Sequence, residues 1–152
     1  MLQGKIAGED KKTAEVIKGT ADNMKVLVRD LLDLSKIDQG KFVIERKPVE
    51  VVRIIEGIIE ELAPLAQEKN VQVKLHKLRE ETFVLTDELR IRQALGNIAS
   101  NGIKYSKKDG EFLVDIKKQG HVLAVIMKDE GIGIPKKEAG KIFTRFYRAS
   151  NA

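Results

Sequence analysis

The 152-residue chain contains no cysteine, so it has no disulfide, no thiolate metal site and no thiol nucleophile. It also has no stretch approaching the roughly 18 unbroken apolar residues of a membrane span, and its start does not resemble a secretory leader. We therefore expect no membrane contact by this chain, and the lack of cysteine suits the reducing cytoplasm.

Charge of a single sign is not concentrated anywhere in the sequence. The 28 lysines and arginines and the 23 aspartates and glutamates give a net charge of +5, but the two signs alternate, and no arginine-rich run is interleaved with aromatic residues. This pattern is typical of a solvated surface of mixed sign and argues against nucleic-acid binding. The hydrophobic content of 42% supports one full domain and one extra element.

The first 40 residues predict one long amphipathic helix from about Glu9 to Asp38. Its apolar residues recur at steps of three and four, which makes a seam along one face; they include Ile17, Ala21, Met24, Val28 and Leu31. A helix of about 30 residues is ~45 Å long, which is too long for one small domain to cover. We expect it to pack against another helix and to end at Gly40, since glycine readily takes the left-handed cap conformation.

The remaining sequence alternates between strand and helix patterns. The expected elements are a strand at 42–45, a helix with a buried stripe from Val51 to Ala66, strands at 71–75 and 82–86, a helix from the N-cap Asp87 to about Tyr105, a hairpin of 112–117 and 122–128, and a short polar helix after Pro135. Pro64 should kink the second helix or remove one of its backbone bonds. The order indicates an α+β fold in which helices cover one face of a mixed sheet.

The third helix carries the first candidate site. Its expected core side consists of Ile91, Ala94, Leu95, Ile98, Ala99 and Ile103. Polar residues at steps of four, four and three share the other side; they are Gln93, Asn97, Asn101 and Lys104. Asparagine is a mediocre helix former, but its carboxamide oxygen suits Mg²⁺, and a lysine can neutralise a phosphate. The pattern fits either a metal and phosphate site or a solvent-facing polar stripe.

A second candidate site is the segment Asp129-Glu-Gly131-Ile-Gly133-Ile-Pro135. A carboxylate and two glycines after a strand can form a simple turn. Alternatively, Asp129 accepts a hydrogen bond from an exocyclic amine, which adenine has and guanine lacks at that ring position. Gly131 and Gly133 would then let the backbone approach the purine ring closely.

Taken together, these segments resemble the sensor histidine kinases of two-component systems. Residues 89–106 look like the N box of that family, 129–135 like its G1 box and 142–148 like its F box, in the family's order. Residues 31–40 resemble the end of the second dimerisation helix, and 45–49 resemble the start of the catalytic domain. The resemblance covers nearly the whole chain.

The resemblance implies a Bergerat-type ATP-binding α/β sandwich preceded by one long dimerisation helix. Residues 1–40 would be the second helix of the dimerisation domain, and residues 41–152 would be the ATP-binding catalytic domain. Such a domain binds Mg-ATP for phosphoryl transfer to a histidine and onward to a response regulator. The expected partners are a second copy of the chain, bound through the N-terminal helix, and the response regulator of the parent kinase. The location would be cytoplasmic whether or not the parent is anchored in a membrane.

The resemblance also implies roles for single residues. Asn101 would be the principal Mg²⁺ ligand with Asn97 assisting, and neither is a catalytic group, because an amide cannot act as a general base. The other residues expected to contact ATP are Lys104 and Tyr105 at the phosphates and ribose, Asp129 at adenine, Gly131 and Gly133 beside the base, and Arg148 at the phosphates. Phe143 and Phe146 would anchor the ATP lid to the domain.

The sequence departs from the family pattern in several ways. The two histidines, His76 and His121, do not have the sequence context of the phosphorylated histidine in the H box, and the glycine-rich G2 box is also absent. We therefore expect a chain that does not autophosphorylate alone; the alternative is a non-catalytic dimerisation or protein-interaction fragment with weak or no nucleotide binding. Gly102 replaces the family's usual alanine, which suggests close packing under the strand behind the helix.

Overall fold

The computed structural model describes residues 2–78, 80–145 and 147–152, with parts of the first helix described at the level of the backbone. The chain divides into two compact units, Met1–Val43 and Ile44–Ala152. Among the residues that the structure describes, no helix combines the length and the apolar content that a membrane span requires.

The first unit contains helix α1, Leu2–Asp38. The helix ends in a Schellman motif, because the amide of Lys41 donates to the carbonyl of Lys36 at 2.8 Å and the amide of Gly40 donates to that of Ile37 at 3.0 Å. Gly40 has the left-handed φ of 66° that this motif requires. The predicted helix end at Gly40 is confirmed.

The apolar seam of α1 is exposed. More than half of the surface is accessible in five of its large side chains, which are Ile17, Met24, Leu27, Val28 and Leu31. Scattered apolar residues on a surface need no explanation, but a continuous apolar face of this length is typical of a contact surface.

The second unit alternates strands and helices. In chain order its elements are β1 (Lys47–Glu50), α2 (Val51–Glu68), β2 (Gln72–His76), β3 (Phe83–Thr86), α3 (Glu88–Tyr105), β4 (Glu111–Gln119), β5 (Val122–Asp129) and a 3₁₀ turn at Ala139–Lys141. β1 pairs antiparallel with β3. β4 lies between β2, which is parallel to it, and β5, which is antiparallel. The predicted mixed sheet is confirmed in this second group of strands.

The core lies between the two long helices and the inner face of the mixed sheet. α2 and α3 pack against each other, α2 contacts β2, and α3 contacts β5. The most deeply buried large side chains are Ile55 of α2, Ile103 of α3, and Phe112 and Val114 of β4. Burial of such side chains is the main stabilising contribution to the unit, and it fixes the orientation of α3.

One strand prediction is wrong, and one helix prediction is only partly right. Residues 42–45 form no strand; β1 begins instead at Lys47, because Lys47–Glu50 lie opposite β3, with Val49 paired to Val84. Within the described residues, β3 is the strand that pairs with β1, and Pro48 is tolerated at such an edge position. The short polar helix expected after Pro135 is present as a 3₁₀ helix of three residues, Ala139–Lys141.

The predicted core side of α3 is also partly wrong. Ala94 is exposed, and Ile98 is 54% exposed. The buried positions of α3 are Leu95, Ala99, Gly102 and Ile103. These residues follow one another at steps of four, three and one. The buried stripe of α3 is therefore narrower than expected, and the neighbouring positions Ala94 and Ile98 face solvent.

Both helices of the second unit begin at acidic N-caps. The carboxylate of Glu50 accepts hydrogen bonds from the amides of Val52 and Arg53. The carboxylate of Asp87 accepts from the amides of Arg90 and Glu45, and these bonds hold the pKa of Asp87 below its usual range. The predicted cap at Asp87 is confirmed. α2 continues through Pro64 to Glu68.

Candidate functional site

The polar side of α3 faces solvent along most of its length. Asn97, Asn101 and Lys104 are all exposed, and their spacing along a regular helix places them on one side. Gln93 differs, because it is half-buried and its amide oxygen accepts a hydrogen bond from the guanidinium of Arg90 at 3.2 Å. The accessible part of the stripe is therefore two carboxamides followed by one ammonium group.

The loop after β5 is hydrogen-bonded to the C-terminal end of α3. Ser106 and Gly131 form an isolated antiparallel bridge. On either side of it, the amide of Ile132 donates to the carbonyl of Tyr105 at 3.3 Å, and the amide of Lys107 donates to that of Glu130 at 3.4 Å. We call this contact the α3–loop junction (Tyr105–Lys107 with Glu130–Ile132). It brings the two candidate sites of the sequence together.

Gly131 is required at the α3–loop junction by two close approaches. A Cβ atom at this position would lie 2.4 Å from the carbonyl oxygen of Tyr105 and 2.5 Å from Oδ1 of Asp129. Its amide donates to the same Oδ1 at 2.9 Å. Gly131 thus fixes the exposed carboxylate of Asp129, whose other oxygen, Oδ2, accepts none of the hydrogen bonds found in the described part of the chain.

Lys69 supports the junction from the other side of α3. Lys69 directly follows α2. Its ammonium group donates to the carbonyl oxygens of Ile103 at 3.3 Å, of Ser106 at 2.8 Å, and of Lys104. A cation at the C-terminal end of a helix satisfies unpaired carbonyls and interacts favourably with the helix dipole. Lys69 therefore holds the turn that carries Lys104 and Tyr105. Nothing in the local sequence indicates this contact, because its partners lie 34 to 37 residues away.

The chain segment that follows the 3₁₀ turn is fixed by Glu138. One carboxylate oxygen, Oε2, accepts from the hydroxyl of Tyr147 at 2.8 Å and from the amide of Ser150 at 3.0 Å, and the other accepts from the hydroxyl of Ser150 at 2.7 Å. The Ser150 amide, the Ser150 hydroxyl and the Tyr147 hydroxyl together lower the pKa of Glu138. The hydrogen bond to this carboxylate raises the pKa of Tyr147.

A cavity of about 600 Å³ lies elsewhere in the second unit. It is formed by β3, the first half of α3 and the tip of the β4–β5 hairpin, and its lining includes Thr82, Ile91, Lys118 and His121. None of the residues predicted to contact a nucleotide lines it. The candidate nucleotide site is therefore separate from this cavity. It consists of the exposed polar groups of α3 and the α3–loop junction.

Two comparisons with known proteins, one with family sequence models and one with single proteins, agree with each other. Residues 86–152 match the sequence model of the family described as histidine kinase-, DNA gyrase B-, and HSP90-like ATPase. The chain is 37% identical over 139 residues to the sensor histidine kinase WalK of Bacillus subtilis (strain 168), and this alignment covers 90% of the chain and 23% of WalK. The chain thus spans about a quarter of the length of this relative.

The chain is related to the sensor histidine kinases.

Solved structures of this family share the fold. ShkA, full-length and in complex with AMPPNP, has a TM-score of 0.69 at 22% identity, over 86% of this chain and 28% of ShkA. ThkA, in complex with the response regulator protein TrrA, has a TM-score of 0.66 at 20% identity, over 82% of this chain and 38% of ThkA. The predicted Bergerat-type α/β sandwich is confirmed.

In this chain, the segment that resembles the F box (residues 142–148) differs from the expectation. Phe143 is 93% exposed, so the prediction that it anchors the lid to the domain is wrong. Phe146, predicted to act with it, lies outside the described residues. Among the described residues, the polar side chains of Glu138 and Asn151 hold this part of the chain by hydrogen bonds. Arg148, which follows Tyr147, is exposed.

The donor groups on α3 fit Mg²⁺ with a triphosphate better than a metal ion alone. Among the described residues, no three His, Cys, Asp or Glu side chains form a group that could hold a metal. The exposed carboxamides of Asn97 and Asn101 offer neutral oxygen atoms, and Mg²⁺ commonly combines a few protein oxygens with substrate phosphates and water. Gly133, with a left-handed φ of 66°, turns the chain away after the loop.

The two histidines lie apart from this site in the sequence and in different elements. His76 ends β2, His121 lies in the β4–β5 turn, and both are exposed.

Proposed function

We propose that the Ile44–Ala152 unit binds Mg-ATP at the α3–loop junction, as the catalytic domain of a sensor histidine kinase. The observation that carries this proposal is the backbone pairing of Ser106 with Gly131. It sets a carboxylate suited to adenine beside a helix whose exposed side carries two carboxamides and a lysine. An ATPase family that matches this part of the chain, and the AMPPNP bound to a structural relative, support the choice of nucleotide.

The exposed groups of α3 and of the loop after β5 each have a distinct chemical task in this proposal. Oδ2 of Asp129 would accept a hydrogen bond from the exocyclic amine of adenine, while Gly131 holds Oδ1. Asn101 would be the principal ligand of Mg²⁺, assisted by Asn97. Tyr105 would lie at the phosphate and ribose region, and Gly133 would flank the base.

Two cationic groups would act on the phosphates. Lys104 follows Asn101 by three residues on α3, and Arg148 belongs to the segment held by Glu138. In phosphoryl transfer the protein mainly positions the groups and stabilises charge on the transferred phosphoryl, with Mg²⁺ neutralising part of it. Lys104 and Arg148 would contribute this stabilisation.

The reaction of the parent protein would be transfer of the γ-phosphoryl group to a histidine, followed by transfer to a response regulator. The carboxamide of Asn97 cannot remove a proton from water, which favours transfer over hydrolysis. The complex of ThkA with TrrA provides a precedent for the response-regulator partner. Neither His76 nor His121 has the sequence context of the acceptor, so the chain alone would not autophosphorylate.

The first unit would pair with a second copy of the chain. The exposed seam of α1 supports this assignment, because two such faces can bury each other in a helical bundle. In this proposal residues 1–40 are the second helix of a dimerisation domain, and residues 41–152 are the catalytic domain.

Calorimetric titration tests the proposed function. The chain is titrated with ADP and with a non-hydrolysable ATP analogue, each with and without Mg²⁺. Asn101→Ala should weaken Mg-nucleotide binding by about tenfold or more, as expected when a group that supports a metal site is lost, and should change metal-free binding less. Gln67→Ala removes an exposed carboxamide from α2 and serves as the matched control. A folded chain that binds no nucleotide would favour the alternative function, a dimerisation and protein-interaction fragment.

A further inference from the structure

The residues on both sides of Arg148 are bound to one carboxylate. Tyr147 precedes Arg148 and donates its hydroxyl to Glu138, and Ser150 follows and donates both its amide and its hydroxyl. The three distances lie between 2.7 and 3.0 Å, which is the range of well-formed hydrogen bonds to a charged acceptor. We call this arrangement the Glu138 clasp (Glu138, Tyr147 and Ser150).

The same segment is also hydrogen-bonded to the loop that follows Asp129, which we call the glycine loop (residues 130–135). The side-chain amide of Asn151 donates to the carbonyl of Gly133 at 3.0 Å and to that of Ile132 at 3.4 Å. Ile132 in turn belongs to the α3–loop junction through its amide bond to Tyr105. A continuous series of hydrogen bonds therefore joins the end of α3, the glycine loop and the backbone around Arg148.

We propose that Glu138 is a positioning residue for nucleotide binding, whose clasp holds the Arg148 segment against the glycine loop so that the guanidinium meets the terminal phosphates of a nucleotide bound there. This role rests on the proposed function. The physical basis is preorganisation: a segment fixed at Tyr147, Ser150 and Asn151 loses less conformational entropy when Arg148 contacts the ligand.

The charge of Glu138 is consistent with this role. Three neutral donors occupy the oxygen atoms of Glu138, and they stabilise its negative charge without cancelling it. A glutamate is ionised at neutral pH, and the hydrogen bonds that lower the pKa of Glu138 favour this form further, so both oxygens act as acceptors. In Glu138→Gln the amide nitrogen can face the Ser150 hydroxyl, which can also accept, so the size of the side chain is kept while the hydrogen bonds of the clasp lose their charged acceptor.

The test is a double-mutant cycle on the full chain. Dissociation constants for Mg-AMPPNP, Mg-ADP and adenosine are measured for wild type, Glu138→Gln, Arg148→Ala and the double variant. Glu138→Gln should weaken Mg-AMPPNP binding by about tenfold, the effect of losing roughly one charge-assisted hydrogen bond, weaken Mg-ADP binding less and leave adenosine binding unchanged. In the Arg148→Ala background the substitution should have little further effect, because the residues act as one unit. Glu60→Gln, at an exposed position of α2, makes the same charge change outside the clasp and should match wild type.

Three results would overturn the role. Independent, multiplicative losses from Glu138→Gln and Arg148→Ala would show that Glu138 does not act through Arg148. An equal loss of affinity for adenosine and for Mg-AMPPNP would show that the clasp supports only the glycine loop beside the adenine base. A loss no larger than that of Glu60→Gln would show that the clasp has no bearing on binding.

Hydrogen exchange separates failure of the clasp from failure of the proposed function. The Ser150 amide should exchange faster in Glu138→Gln than in wild type and Glu60→Gln, with no nucleotide present. Unchanged exchange would overturn the clasp itself. If the wild type binds no nucleotide while the exchange difference is present, the positioning role falls with the proposed function, although the clasp exists.

Discussion

The ring of Phe112 occupies the space that any side chain at residue 102 would need. A Cβ atom on Gly102 would lie 2.3 Å from Cε2 of Phe112, and Phe112 is almost completely buried against α3. The absence of a side chain therefore allows β4 to approach the helix that carries Asn101 and Lys104. This confirms the expectation that Gly102 permits close packing behind α3.

Gly102→Ala should destabilise the second unit. Alanine improves helix propensity by about 1 kcal/mol, but overpacking a core of this kind costs about 1–3 kcal/mol, and the rigid ring cannot move away easily. The net effect should be a loss of up to about 2 kcal/mol, measured by urea denaturation followed by circular dichroism. Gly96→Ala on the same helix is the control, because a Cβ there meets nothing within 4 Å; it should be neutral or stabilising. A stable Gly102→Ala variant would contradict the packing account.

Asp129→Asn should reduce discrimination between adenine and guanine nucleotides while leaving the fold intact. The residue is exposed at the end of β5, and the amide side chain keeps its shape but replaces one acceptor oxygen by a donor. ADP affinity should fall by about tenfold, as for the loss of one hydrogen bond to a charged group, whereas affinity for GDP should change little. Unchanged ADP binding in a folded variant would remove adenine recognition from Asp129.

Leu27→Glu combined with Leu31→Glu should reduce self-association of the chain. Both side chains are more than half exposed on the seam of α1, and paired seams would place charges in an apolar contact, which is costly. Light scattering should show a shift from dimer towards monomer mass. Glutamine substitutions at Lys18 and Lys25, which are exposed on the same helix, lower the net charge by the same amount and provide a control for charge alone. An unchanged mass for the double leucine variant would assign this face to another contact.

Tyr147 should titrate above the ordinary range of a tyrosine, and Glu138 should be the cause. The hydrogen bond to Glu138 raises the pKa of Tyr147, so this pair contributes stability at pH values below the unfolded-state pKa of tyrosine and loses it as the pH rises through the raised folded-state value. Glu138 has a lowered pKa, so its contribution is present above the unfolded-state pKa of a glutamate and is lost as the pH falls through its folded-state value.

The chain has two tyrosines, so Tyr105→Phe isolates Tyr147 in an ultraviolet titration of the phenol. Glu138→Gln in this background should lower the midpoint, and Glu60→Gln should leave it unchanged. A midpoint that does not respond to Glu138→Gln would show that the hydrogen bond is absent in solution.

Features set by local sequence were predictable. The end of α1 at Gly40, the N-cap at Asp87, the extent of α3 and the β4–β5 hairpin depend on neighbouring residues, and each is confirmed. The strand expected at 42–45 depended on a partner, and the available partner, β3, pairs with residues five positions further along. The exposure of Ile98 likewise depends on how α3 is rotated against the sheet, which the helical period alone does not fix.

The supporting contacts of the site were not predictable for the same reason. Lys69 reaches carbonyl groups on α3 that lie more than 30 residues away, and Glu138 binds side chains 9 and 12 residues away across an irregular segment. Neither pairing has a periodic signature. The resemblance of the 142–148 segment to the F box led to the wrong expectation for Phe143, because the burial of a lid residue depends on contacts that its own motif does not contain.

The most direct test of the account is an amide chemical-shift titration of the isotopically labelled chain with Mg-AMPPNP. If α3 and the loop after β5 form one nucleotide site, the amides of Asn101, Tyr105, Gly131 and Gly133 should shift together along a single binding curve. Shifts confined to the cavity beside β3, at residues such as Thr82 and His121, or no shifts in a folded sample, would contradict the account.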